Sequence, residues 1–126
     1  MIIGIGTDIV NMSRIKEILN KYGDRFLEKN MHTLERQKYA TLAEKHKVGF
    51  VAKRFAAKES LLKALKLGLG KQIALKDIAI INGENGAPKV LISQEKLPNI
   101  AEYNIQISLS DDDPFAVAFV VVSRYV

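Results

Sequence analysis

The chain opens on an apolar, Ile-rich stretch over residues 2–10, and its β-branched content predicts a strand. Ser13 has the chemistry of a helix N-cap, and Ile15, Ile18, Leu19 and Tyr22 then recur at helical spacing as far as Gly23. A second short helix is predicted over residues 24–29. A third begins near Thr33, where Arg36 takes the place at which a full capping box would carry Glu or Gln. The longest helical pattern covers residues 48–67, with Gly68 and Gly70 as terminators. Phe50, Val51, Phe55, Leu61, Leu62 and Leu65 form its apolar stripe, and Ala52, Ala56, Ala57 and Ala64 form a second face small enough for close packing.

After this helix the period changes. Residues 77–81 and 89–92 are short β-type runs around Asn-Gly-Glu-Asn-Gly-Ala-Pro, a hairpin with a loop longer than the tight two-residue turn. Residues 94–102 carry no clear period. Residues 104–110 alternate, with Ile105, Ile107 and Leu109 on one side and Gln106, Ser108 and Ser110 on the other, whereas residues 115–122 are apolar on both sides. Strand, then helices, then strands predicts one α+β domain over residues 1–126, with several N-terminal helices packed on a small antiparallel sheet. The doubly apolar last strand needs cover on both faces. Its own helices supply one cover; a neighbouring subunit, or a sandwiched position within one chain, would supply the other.

Composition narrows the class. With 126 residues, 48% of them apolar, the chain can bury one core unaided, and with no Cys it has neither disulfides nor a cysteine nucleophile. The longest apolar run has 8 residues, far below the roughly 20 of a membrane-spanning helix. The first residues read as strand rather than signal peptide, so a cytoplasmic protein is expected. The net charge of +5 is unevenly spread: residues 14–76 hold 16 Lys or Arg against 6 Asp or Glu, a net of +10, and residues 77–126 are net −4. Such a basic block suits a polyanionic partner: nucleic acid, a phosphorylated cofactor, an acidic protein or an anionic surface. It is equally compatible with a solvated helical face.

The familiar phosphate motifs are absent. Gly4-Ile5-Gly6 is followed by Ile9 where a dinucleotide fingerprint needs a third glycine, and Gly70-Lys71-Gln72 lacks the residues of a P-loop. Asp8 is more informative. On an extended strand it shares a face with Gly4 and Gly6, whose missing side chains leave room beside its carboxylate for a hard cation; the alternative is an acid capping the following turn. In the long helix Glu59 stands at the seam of the two faces, with Lys63 one turn on, where a simple salt bridge is the plain alternative. Arg54 and Lys58 fall inside the apolar stripe, which is costly unless an anion neutralises them. His32 and His46 read as surface residues.

Gly4-Ile5-Gly6-Thr7-Asp8-Ile9-Val10 with Arg14-Ile15, and Lys53-Arg54-Phe55-Ala56-Ala57-Lys58-Glu59-Ser60 continuing to Lys63-Ala64, resemble the bacterial holo-acyl-carrier-protein synthases, the short class of 4′-phosphopantetheinyl transferases. The resemblance runs nearly end to end and includes Asp77-Ile78, Gly86-Ala87-Pro88, Ser108-Leu109-Ser110 and Phe115-Ala116-Val117-Ala118. It implies a phosphopantetheinyl transferase-type domain that moves 4′-phosphopantetheine from coenzyme A to a serine of apo-acyl-carrier protein, releasing adenosine 3′,5′-bisphosphate, in support of fatty acid biosynthesis. It also implies Mg²⁺ held by Asp8 and Glu59, with Glu59 and Lys63 catalytic. Arg54, Lys58 and Lys63 would hold the phosphates of coenzyme A, and the turn with Gly86 and Pro88 its adenine end. Arg14, Ile18, Arg25, Phe26 and Lys29 would dock the acidic carrier, and the enzyme would be a homotrimer with sites between subunits. Neither nucleic acid nor membrane is an implied partner. The chain departs from the family at Asp111, where many relatives carry His, at Lys66-Leu67-Gly68 in place of Gly-Thr-Gly, and at Ala87 in place of Lys. A nucleic-acid-binding domain and a carrier-binding module without turnover are the rival readings.

Overall fold

The computed structural model describes residues 1–67 and 72–125. Strand β1 (Ile2–Asn11) leads into helices α1 (Met12–Tyr22), α2 (Asp24–Asn30), α3 (Thr33–Thr41) and α4 (Glu44–Ala64). A hairpin of β2 (Ile78–Asn82) and β3 (Pro88–Ile92) follows, and then the long pair β4 (Tyr103–Asp112) and β5 (Phe115–Arg124). Instead of one small sheet there are two antiparallel ones, a three-stranded sheet in the order β1-β5-β4 and the two-stranded β2-β3. The α+β class and the order of elements are as expected.

Local chemistry moved several boundaries. Asn11, not Ser13, caps α1, its side chain accepting from the Ser13 amide at 2.9 Å. At α3 the cap is His32: the Leu34 amide donates to its Nδ1 at 3.0 Å, and Glu35 Oε1 accepts from the His32 amide at 2.9 Å. The reciprocal box predicted to be incomplete is therefore complete, one residue earlier than the Thr33 frame, and His32 is a half-buried cap rather than a free surface residue. Helix α4 starts four residues early, at Glu44, after Ala43, which offers no side-chain cap. It ends at Ala64, and Lys66 turns the chain with φ 60. The expected terminators Gly68 and Gly70 lie outside the described residues.

Helix α4 is the axis of the molecule. On one side Ala56, Ala57, Leu61 and Ala64 pack on Ala118, Val120 and Val122 of β5 and on Ile78 and Ile80 of β2. On the other, Phe50, Val51 and Ala52 pack on Ile15, Leu27 and Met31 of the short helices. The strands are drawn tightly against it. A Cβ on Gly4 would lie 1.8 Å from the Ala64 carbonyl oxygen, and one on Gly6 1.8 Å from that of Ser60, so only glycine fits at either position. The space over Gly4 and Gly6 is thus filled by helix backbone, not left vacant as the missing side chains suggested.

Strand β5 is central in its sheet but covered on one face. Ala116, Ala118, Val120 and Val122 are buried, while Phe115, Val117 and Phe119 point outward, Phe119 with 46% of its surface exposed. Ile5 and Ile9, which pair with Val121 and Val117, extend the same apolar face on β1. Within a single chain nothing described covers that face.

Candidate active site

The contact that removes side chains from Gly4 and Gly6 also fixes Asp8. With Gly4 on Ala64 and Gly6 on Ser60, the strand face runs back along α4, and its next residue, Asp8, comes beside Glu59, the neighbour of Ser60. Asp8 and Glu59 line one cavity of about 240 Å³ together with Arg14, Ile18, Phe26 and Phe55. Both acids are half-buried. Burial, with the Asp8 charge beside it, raises the Glu59 carboxyl above its ordinary pKa, and Lys63 partly offsets this.

Lys63 does not pair with Glu59. Its ammonium donates to Asp8 Oδ1 at 3.2 Å and to the Thr7 carbonyl at 3.0 Å, with more than half of its side chain exposed. The cross-element ion pair replaces the intrahelical one that the spacing allowed. Two carboxylates and one ammonium leave Glu59 as the under-compensated acid.

This donor set suits a hard divalent cation. Two carboxylates supply oxygen ligands, and among the described residues no third His, Cys, Asp or Glu completes a larger cluster. A cation here would take its remaining ligands from water and substrate phosphate, as Mg²⁺ commonly does.

The cations of the apolar stripe resolve differently. Lys58 has none of its surface exposed, and its ammonium donates to the Glu35 carboxylate and, at 2.9 Å, to the Asn30 carbonyl. The anion its position demands is thus Glu35 of the same chain, and Lys58 has no surface to offer a phosphate. This corrects its expected contact with coenzyme A. Burial pulls its ammonium down from the usual lysine range, against the attraction of Glu35. Arg54 is 7% exposed, lies with its guanidinium 4.0 Å from the Phe50 ring centroid and donates through Nε to the Ile80 carbonyl at 3.3 Å. It lines a second, larger cavity of about 920 Å³ with Lys16, Lys45, His46, Lys53 and Asp111. There Lys53 and Asp111 lie 3.9 Å apart.

Of the residues nominated for the carrier, the fold brings Arg14, Ile18 and Phe26 to the Asp8–Glu59 cavity, where Phe26 stacks on Phe55 at 6.3 Å. Arg25 and Lys29 are exposed on α2 outside it. Gly86 and Pro88 stand at the hairpin tip, away from both cavities, with Gly86 at φ 83 in the turn. Sequence reasoning missed Glu35 and the basic cavity. The spacing of His32 and Glu35 held the signal for the first, and the run Lys45-His46-Lys47 for the second.

Residues 4–120 match the family model described as the 4′-phosphopantetheinyl transferase superfamily. The chain belongs to that superfamily. The holo-[acyl-carrier-protein] synthase of Orientia tsutsugamushi (strain Boryong) is 44% identical over 131 aligned positions, 98% of each chain. A holo-(acyl-carrier-protein) synthase from Bacillus anthracis, solved in complex with CoA (3′,5′-ADP), superposes with a TM-score of 0.85 at 36% identity over 99% of both chains. That of Helicobacter pylori, solved with coenzyme A, gives 0.82 at 35% identity over 94% of this chain and 99% of its own.

Proposed function

We propose that this enzyme is a holo-acyl-carrier-protein synthase that transfers 4′-phosphopantetheine from coenzyme A to a serine of apo-acyl-carrier protein, in support of fatty acid biosynthesis. The observation that carries the reading is the shared cavity of Asp8 and Glu59, with Lys63 beside it, in a chain 44% identical to a named synthase. Asp8 and Glu59 hold Mg²⁺, which when bound neutralises diphosphate charge. The Lys63 ammonium, with a third donor beyond the two spent on Asp8 and Thr7, faces the same diphosphate. The serine oxygen attacks the phosphorus that carries the pantetheine arm, and its proton passes to Glu59, the carboxylate that Lys63 leaves unbonded. The bond from that phosphorus to the bridging oxygen breaks, and adenosine 3′,5′-bisphosphate departs with the electron pair.

Arg54, buried yet open to the larger cavity, receives phosphate from coenzyme A. The turn with Gly86 and Pro88 meets the adenine end, from a neighbouring copy if the outer sheet face is shared. Arg14, Ile18 and Phe26 at the cavity rim, with Arg25 and Lys29 further along α2, dock the acidic carrier. We assign the exposed face of Ile5, Ile9, Val117 and Phe119 to contacts between three copies, and place the reaction in the cytoplasm. No described helix is long and apolar enough to cross a membrane.

Incubation with apo-carrier protein, coenzyme A and Mg²⁺, followed by mass spectrometry of the carrier, tests the transfer. A carrier heavier by one phosphopantetheine is expected; an unmodified cognate carrier would leave a binding module. Phe119→Asp on the outer face should convert the assembly to monomer in sedimentation velocity, and an unchanged sedimentation coefficient would contradict the shared face.

A further inference from the structure

The buried charges around Lys58 form a chain of contacts with an open end. Glu35 is fully buried and spends Oε1 on Lys58 and on the His32 amide, and Oε2 on the Ile80 amide at 2.9 Å. Arg54, four residues before Lys58 on α4, is held through Nε by the carbonyl of that same Ile80. The Glu35 carboxylate and the Arg54 guanidinium therefore meet at a single residue of β2, with Lys58 joined to it through Glu35. Only Lys58 touches the carboxylate directly.

This allocation has a chemical consequence. A carboxylate prefers the guanidinium fork, which it can engage through two parallel hydrogen bonds, over a point-charge ammonium. Were Arg54 to take Glu35, its Nη donors would be consumed inside the protein. As it stands, among the described residues neither Nη atom has a hydrogen-bond partner, yet both keep accessible surface, and Arg54 lines the larger cavity. We propose that Lys58 is a positioning residue which occupies Glu35 and thereby keeps the Arg54 fork free for an anionic phosphate of the substrate. The identity of that phosphate rests on the transferase reading; the guarding of Arg54 by Lys58 does not.

Two variants and two readouts decide it. In Lys58→Met the carboxylate loses its ammonium and turns to Arg54, so affinity for coenzyme A, measured by calorimetry on protein shown to be folded by circular dichroism, falls on the order of tenfold or more. In Glu35→Gln/Lys58→Met no carboxylate remains to capture the fork, and affinity returns to within about threefold of wild type, because a neutralised buried pair is tolerated. A Lys58 that itself gripped phosphate would leave the double variant on the order of tenfold or more weaker than wild type, and that result would overturn the proposal even if Lys58→Met alone did not fold. Nitrogen-resolved NMR of the Arg54 side chain gives the independent readout. Separate, locked Nη signals are expected in Lys58→Met and averaged signals in wild type and the double variant; averaged signals throughout would overturn the guard. If wild-type protein bound no coenzyme A at all, the transferase reading would fall, while the NMR spectra would still decide the role of Lys58.

Discussion

Glu35 and Glu59 are both acids beside lysines of α4, and the fold treats them in opposite ways. Glu35 is fully buried and every oxygen is answered, by Lys58, the His32 amide and the Ile80 amide. Glu59 is half-buried, faces another acid in Asp8, and the nearby Lys63 bonds Asp8 instead. The first arrangement spends its charge on joining α3, α4 and β2. The second withholds compensation from a carboxylate at the rim of a cavity, and an acid left short of partners is one that can accept a cation or a proton. Adjacent residues of one helix, Lys58 and Glu59, thus belong to the scaffold and to the chemistry respectively.

The largest expected effect lies on the scaffold side. Glu35→Ala strands the Lys58 ammonium in the interior and should cost about 3–5 kcal/mol in chemical denaturation, as breaking a buried pair does; a loss below about 1 kcal/mol, the range of an exposed pair, would erase the contrast. Next, Glu59→Gln and Asp8→Asn should each cut turnover by about a hundredfold or more, the scale of losing a preorganised charge contact, without lowering the melting temperature. Equal losses of stability in the Glu35 and Glu59 variants would mean that both acids are structural.

A smaller effect concerns pH. The Glu59 pKa is raised in the folded chain, so its protonated form favours the native state, and that contribution is present at low pH and lost as pH rises through the raised value. Stability at neutral pH should therefore be equal or slightly higher in Glu59→Gln than in wild type. Metal binding must expel the same proton, so metal affinity should climb with pH above the ordinary glutamate range and level off beyond the raised pKa. A flat profile across that window would remove Glu59 from the ligand set.

Much of this was legible in the residues themselves. Alternation along β1 placed Asp8 on the face of Gly4 and Gly6, and helical spacing put Glu59 and Lys63 on one side of α4; two local periodicities then needed one packing contact to meet. The hairpin was legible from its turn residues, and the outer face of β5 from its lack of polar positions. What stayed hidden depended on long-range partners. Lys58 read as a phosphate ligand because its partner Glu35 lies 23 residues away, and the cap spacing of His32 and Glu35 tells of a helix start but not of the lysine that the same carboxylate meets. The start of α4 was missed because Ala43 caps nothing, and the frame of α3 slipped because His32, an uncommon cap, did the work assigned to Thr33. The glycines were read as space when they mark contact, a distinction that only the facing element decides.

The sharing of one cation by Asp8 and Glu59 is tested most directly by titrating Mn²⁺, as a spectroscopic substitute for Mg²⁺, into the assembled enzyme with coenzyme A present and following free Mn²⁺ by electron paramagnetic resonance. One strong site per chain is expected, lost in both Asp8→Asn and Glu59→Gln and weakened as pH falls. An undiminished site in either variant would contradict it.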